Sequence, residues 1–198
     1  MIEGTVTYSP DPKRPWRYAR YYVKQAKTGE LAEAVVALRA RPVIDVDRHP
    51  QTVVIDQQNF QFQPETVTIR KGDSVKFTNA DQTTHNVQTT SEIAAFNVNM
   101  PGHGEHTVRF DRAGGIHQPA IVSCVFHSAM RANVFVFHHP WYQLTPASGI
   151  FRLTDVPPGQ YELEMVHPAG GLLWRNRVEV KEGETYRIDI RVSPDDKK

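Results

Sequence analysis

A short segment after residue 123 combines three side chains that bind soft metal ions. Cys124, His127 and Met130 supply a thiolate, an imidazole and a thioether on one tight loop. Blue-copper electron-transfer sites use two histidines, one cysteine and a weak axial methionine. A second histidine must therefore come from elsewhere in the chain, and His85, at the start of an apparent β-strand, is the candidate. These four residues predict a copper site.

Each of these residues also has an ordinary explanation. A cysteine at a strand end is often a small buried hydrophobe, and methionine often fills a gap in a core. His127 and Met130 would then be plain loop residues. The presence of His85 and Asn86 at a suitable distance upstream, between strand-like runs, favours the metal over this explanation.

The same segments resemble the cupredoxins, the type 1 blue copper proteins of the amicyanin and plastocyanin kind. His85-Asn86 and Cys124-x-x-His127 carry the resemblance, and residues 62–79 are similar to the strand, glycine turn and strand that open the family's fold. The resemblance implies one type 1 copper ion with four ligands: His85, Cys124, His127 and Met130. It also implies that Asn86 ties the two ligand loops together and donates to the sulfur, which tunes the potential.

The remainder of the chain reads as strands and turns. Runs that alternate apolar and polar residues recur about every ten positions, for example at 67–69, 75–77 and 134–137. Such spacing predicts an all-β protein. Together with the resemblance, it predicts a cupredoxin Greek-key β-barrel or sandwich plus a second, smaller β-sandwich.

The two ends of the chain resemble the halves of another family. Residues 149–163 contain the pattern Gly-x-Phe-x-Leu-x-x-Val-Pro-Pro-Gly-x-Tyr-x-Leu, similar to carboxypeptidase-regulatory-like, or transthyretin-like, sandwiches. The opening strands of that family have counterparts at 4–6 and 34–38. We therefore expect a cupredoxin at 49–140 inserted into a discontinuous sandwich of 1–48 and 141–198, because inserted domains are tolerated when their termini lie close together.

Composition excludes several classes of function. The formal charge of +1 argues against a dedicated nucleic-acid binder, and no run approaches the roughly 20 apolar residues of a membrane span. The single cysteine excludes an internal disulfide. The family resemblance favours export, so we expect a periplasmic or extracytoplasmic protein whose leader is absent from this sequence and whose membrane anchoring stays possible.

These observations predict a single-electron carrier that acts between periplasmic redox partners and is not an enzyme. Two alternatives stay open: a copper-binding or copper-delivery module, and a copper enzyme acting on a small molecule such as nitric oxide. No catalytic residues are assigned, and no second metal is expected at the other histidines.

A redox protein is expected to dock near His127. The candidates for the docking patch are loop residues: Met100, Pro101, Pro119, Ala120 and Ala129. The stretch 13–27 has six basic residues and no acidic one, interleaved with aromatic residues. Such a stretch can bind an acidic partner or a membrane surface, but a solvated insertion packed by its aromatic residues is the more common case.

Overall fold

The computed structural model describes residues 1–42 and 48–197. Nearly all its regular structure is β-strand, which confirms the all-β prediction. In chain order the strands are β1 Ile2–Tyr8, β2 Val35–Arg39, β3 Thr52–Gln58, β4 Gln61–Gln63, β5 Thr66–Arg70, β6 Ser74–Asn79, β7 His85–Ser91, β8 Ala94–Met100, β9 Glu105–Arg109, β10 Ala120–Ser123, β11 Arg131–Phe137, β12 Tyr142–Leu144, β13 Ile150–Leu153, β14 Gly159–His167, β15 Leu172–Val180, β16 Tyr186–Arg187 and β17 Ile190–Val192. A one-turn helix, α1, spans Ala19–Tyr22, and a 3-10 turn spans Pro194–Asp196.

The chain forms two compact units, Met1–Arg41 with Trp141–Lys198, and Pro42–Pro140. Residues 43–47, part of the segment 1–48 assigned above to the second sandwich, lie outside the described residues. Arg48, the last residue of that segment, bonds to Asp73 within the unit 42–140. The kinship of the first unit with carboxypeptidase-regulatory-like domains stays a prediction.

The unit 42–140 consists of two sheets that share one core. One sheet has the order β4-β3-β6-β9 and the other the order β5-β11-β10-β7-β8. Alternate residues of β6 are buried, because successive side chains of a strand point to opposite faces. Side chains from both sheets meet in a single apolar cluster that includes Phe77 of β6, Val87 of β7 and Val122 of β10.

The unit formed by the chain ends also has two sheets and its own core. β1 pairs with β13 antiparallel and with β16 and β17 in parallel, so the first strand lies among strands from the last quarter of the chain. The other sheet has the order β12-β2-β14-β15. Val6, Phe151 and Leu163 are members of the apolar cluster of this unit.

Candidate metal centre

His85 is the first residue of β7 and is completely buried. The loop that precedes it is held by Asn79, whose amide nitrogen donates to the carbonyls of Thr83 at 2.9 Å and of Met100 and Pro101 at 3.1 Å each. Gly102, between β8 and β9, packs against this loop. A Cβ on Gly102 would lie 2.6 Å from the carbonyl oxygen of Gln82, so only glycine fits there. The position of His85 is thus fixed by backbone contacts on both sides of the loop.

The segment Cys124–Met130 is a closed loop between β10 and β11. The Cys124 amide donates to the Met130 carbonyl at 3.3 Å, and the Met130 amide donates to the His127 carbonyl at 2.9 Å. These bonds join the two ends of the loop and make a turn at its centre. Three donor side chains are therefore carried on a loop whose ends are fixed by two paired strands.

The structure brings His85, Cys124 and His127 together. Their ligand atoms all lie within 4.8 Å of one another. The two Nδ1 atoms are 3.1 Å apart, and Nδ1 of His127 is 3.7 Å from Sγ of Cys124. Nitrogen and sulfur ligands at about 2.0 to 2.3 Å from one ion are separated by about 3 to 4 Å, so these residues fit a single metal ion.

A carboxylate sets the tautomer of His85. Nε2 of His85 lies 2.9 Å from Oδ2 of Asp81. An ionised carboxylate accepts hydrogen bonds and cannot donate them. The ring proton is then on Nε2, and the lone pair of Nδ1 is directed toward the other two donors. Hydrogen bonds from the Phe60 amide and from His85 lower the pKa of Asp81, so this carboxyl stays ionised at neutral pH.

Asn86 bonds to the sulfur through its backbone. Its amide N–H donates to Sγ of Cys124 at 3.3 Å, which stabilises a thiolate. Its side-chain nitrogen donates to Asn97 and Asn99 of β8, at 2.8 and 2.9 Å. The side chain thus links Asn86 to the neighbouring strand, and the backbone makes the bond to the ligand loop.

Two methionines lie in the core near this site, and among residues 1–42 and 48–197 a polar partner is seen for the sulfur of Met100. Met100 is directly opposite His85 in the pairing of β7 with β8, and its Sδ accepts a bond from Nε2 of Gln57 at 3.3 Å. Met130 is buried in the same apolar cluster as Cys124. This arrangement favours Met130 as the thioether ligand, and its axial role stays a prediction.

Asp81 and Phe60 contact the candidate ligands and were not predicted from the sequence. The Phe60 ring makes edge contacts with both imidazoles, at centroid distances of 5.4 Å to His85 and 4.9 Å to His127. Asp81 stands four residues before His85 in a loop, where a carboxylate is common and carries no signal. Only its spacing from the histidine could have suggested a contact.

Two of the five candidates for the exposed docking patch need correction, whereas Pro101 and Ala129 are exposed. Met100 and Ala120 are 2% and 0% exposed, because both belong to the core cluster of their unit. Val125 and Phe126 of the ligand loop are instead about half exposed, as is Phe60. Apolar surface therefore lies on the ligand loop itself.

Within residues 1–42 and 48–197, His85, Cys124 and His127 form the one cluster of three or more metal-binding side chains.

Comparison with known proteins links this unit to copper. Residues 50–137 match the family model of copper binding proteins of the plastocyanin/azurin family. Amicyanin from Paracoccus versutus (Thiobacillus versutus) is 24% identical over 52% of this chain and 97% of its own, with a TM-score of 0.39. A purple cupredoxin from Nitrosopumilus maritimus is 21% identical over 43% of this chain and 99% of its own, with a TM-score of 0.38. A copper-containing nitrite reductase from Thermus scotoductus SA-01 is 21% identical over 49% of this chain and 25% of its own, with a TM-score of 0.38.

No curated protein is significantly similar in sequence to the chain. The match of residues 50–137 and the two imidazoles with a thiolate agree on the cofactor, which is one type 1 copper ion. Among residues 1–42 and 48–197, no helix is long and apolar enough to cross a membrane.

Proposed function

We propose that the protein is a single-electron carrier. The observation that carries this proposal is the convergence of His85, Cys124 and His127 within a segment that matches a copper-binding family. When bound, copper supplies one-electron chemistry by alternating between Cu(II) and Cu(I). The proposed ligands are these three residues, with Met130 as a weak axial ligand.

The chain holds its donors in a way that suits electron transfer, because a carrier works best when its ligands rearrange little. Asp81 fixes the ring of His85, and the Asn86 amide fixes the sulfur of Cys124. The hydrogen bonds that close the segment Cys124–Met130 hold the remaining donors on paired strands. Each donor thus has its own restraint from the protein.

His127 is the proposed route for the electron. His85 is completely buried, whereas His127 is partly exposed and is preceded by the exposed apolar residues Val125 and Phe126. A redox protein that docks on this apolar surface would bring its own centre close to the His127 ring. Residues 49–140 carry 6 Lys and Arg against 7 Asp and Glu, so docking should depend little on ionic strength.

We also propose a periplasmic or extracytoplasmic location and a carboxypeptidase-regulatory-like identity for the unit of both chain ends. The first rests on the family's usual place of action. The second rests on the motif at 149–163. Pairing of β1 with β13 supports it, since this pair joins the two segments that the insertion hypothesis assigns to one sandwich.

Spectroscopy of copper-loaded, oxidised protein tests the carrier function. We expect an intense thiolate-to-copper visible band and the electron paramagnetic spectrum of a type 1 site. Cys124→Ser should remove the band and keep the fold, because a hydroxyl is not a soft covalent donor. Ser123→Ala, one residue away on β10, is the matched control and should keep it. A Cys124→Ser protein that stays coloured contradicts the proposed ligand set.

Two further measurements separate a carrier from the alternatives. Met130→Leu should keep the blue site and raise its potential, because loss of a thioether disfavours Cu(II). Nitrite, azide and nitric oxide should leave the wild-type spectrum unchanged, since a site closed by Met130 has no position for them. A site that binds these molecules is that of an enzyme, and a blue site that does not exchange electrons with any small redox mediator is that of a storage or delivery module.

A further inference from the structure

The tip of the hairpin between β3 and β4 has an unusual backbone. Asn59 and Phe60 form a two-residue connection, and both have positive φ, 54° and 59°. Such a turn is usually Asn-Gly, because glycine adopts the left-handed region without steric cost. A bulky aromatic residue at the second position is an outlier. Strained backbone that the surroundings hold in place is often found at functional sites.

Asp81 holds this tip. Its Oδ1 accepts from the Asn59 amide at 2.8 Å, and its Oδ2 accepts from the Phe60 amide at 3.0 Å. The same Oδ2 contacts Nε2 of His85 at 2.9 Å. One carboxylate therefore restrains both the hairpin tip and a proposed ligand.

The Phe60 ring lies against both imidazoles. It is nearly perpendicular to each, with interplanar angles of 85° to His85 and 82° to His127. The two imidazoles are 4.9 Å apart and inclined at 73°, so the three rings are in mutual contact. Edge-to-face contacts of this kind are favourable and depend on orientation. Phe60 is half exposed, so one part of its ring contacts the imidazoles while another part faces solvent.

We propose that Phe60 and Asp81 are positioning residues of the copper site: together they fix the orientation of both imidazoles and slow the loss of the metal. Asp81 restrains His85 by a hydrogen bond at Nε2, and Phe60 restrains His127 through ring contact. This inference rests on the proposed copper site and adds two restraints to it: ring contact from a hairpin outside both ligand segments, and a carboxylate in the loop before His85 that also holds that hairpin.

The chain offers a matched pair of variants. Phe60 and Phe126 are 50% and 53% exposed, and only Phe60 is seen in ring contact with the histidines among the described residues. Phe60→Leu should speed the release of copper to an excess of chelator by about tenfold, the lower end of the effect of residues that orient metal ligands. Phe126→Leu should leave the release rate within about twofold of wild type. It removes an equally exposed ring, but one that is not seen in contact with the imidazoles.

Two more variants separate the two restraints. Phe60→Gly suits the turn and should fold well, so its release rate reports loss of the ring without backbone strain. Asp81→Asn should speed release by about 10- to 100-fold, because an amide accepts through a single oxygen, so either the Asn59 amide or the Phe60 amide and His85 lose their acceptor. The double variant Phe60→Leu/Asp81→Asn should fall short of the product of the single effects, since both changes release the same hairpin.

A second readout needs no copper. In the metal-free full chain, the imidazole resonances of His85 and His127 should broaden or average in Phe60→Leu and stay sharp in wild type and Phe126→Leu. Equal ring mobility in all three proteins overturns the inference. A blue wild type with equal release rates for Phe60→Leu and Phe126→Leu also overturns it. A wild type without the type 1 band contradicts the proposed function, and the ring mobility of the metal-free proteins then tests the positioning role by itself.

Discussion

His85 and His167 are both almost completely buried, one in each unit, and the contrast between them shows what makes a buried histidine a ligand. At His85, Nε2 bonds to Asp81 while Nδ1 faces the other donors. At His167, Nε2 donates to the Ala32 carbonyl at 3.0 Å and Nδ1 accepts from the Gly170 amide at 3.2 Å. Both nitrogens of His167 are therefore used by the backbone.

The surroundings of His167 reinforce this structural role. Its ring packs edge-on against Trp16 at 4.9 Å and Tyr22 at 4.6 Å, within the core of its unit. Burial lowers the pKa of His167 to about 4, so the ring is neutral at physiological pH. A buried imidazole thus serves a metal when one nitrogen stays available, and serves packing when both are bonded.

The largest expected effect comes from replacing each histidine by glutamine. His85→Gln should abolish the type 1 spectrum, because the site loses one of its two imidazoles. His167→Gln should keep the spectrum and lower the free energy of unfolding by about 2 kcal/mol through loss of packing and hydrogen bonds. The comparison fails if His167→Gln changes the copper spectrum, or if His85→Gln keeps it.

Sequence reasoning reached one side of this comparison better than the other. His85, Cys124 and His127 were singled out by residue type and spacing, and these are the side chains that the structure brings together. The role of His167 depends on two backbone groups and leaves no pattern in the sequence.

The same limit applies close to the metal site. Phe60 occupies a turn position where glycine is expected. The sequence therefore does not predict a turn there, or a contact of Phe60 with the histidines. The side chain of Asn86 turns toward β8, a choice made by the facing asparagines of that strand. Such contacts are set by register and by loop paths, which residue types alone do not specify.

A buried carboxylate supplies the next largest effect, in the unit that holds the metal site. Asp73 accepts from the Gln51 amide at 2.7 Å, the Arg70 amide at 2.8 Å and the side chain of Arg48. Asp73→Asn should lower the free energy of unfolding by about 3 kcal/mol, because it leaves a largely buried guanidinium without its counter-charge.

Asp111 provides the control for this substitution in the same unit. Its side chain is exposed and pairs with Arg109 at 2.8 Å. Asp111→Asn should change the free energy of unfolding by less than about 0.5 kcal/mol in urea titrations. Similar losses for the two variants would mean that burial of Asp73 does not strengthen its ion pair.

The pKa of His167 predicts a smaller, pH-dependent effect in the other unit. The folded-state pKa of about 4 lies below the ordinary value of 6.5, so the unfolded chain takes up the proton first as pH falls. Stability from this group is therefore complete above 6.5 and declines as pH falls toward 4. Between pH 7.5 and 5.0 the loss should be about 2 kcal/mol.

Urea titrations of the metal-free protein measure this loss without a contribution from copper binding. The matched variant is His167→Gln, whose unfolding free energy should fall less over the same interval because glutamine does not titrate. Equal pH dependence in the two proteins would show that His167 is not the group responsible.

The smallest expected effect concerns one surface ion pair of the unit formed by the chain ends. Arg39 and Glu162 lie opposite each other on β2 and β14 and approach to 3.2 Å, with the arginine largely exposed. A double-mutant cycle with Arg39→Gln and Glu162→Gln should give a coupling free energy of about 0.5 kcal/mol or less, falling further in about 1 M salt, since water and ions screen the pair. Both pairs join an arginine to a carboxylate, so the expected contrast with Asp73 arises from burial and from the two backbone amides that bond to that carboxylate. A coupling above about 1 kcal/mol that resists salt would place the Arg39–Glu162 pair in the same class as Arg48–Asp73 and remove this difference between the two units.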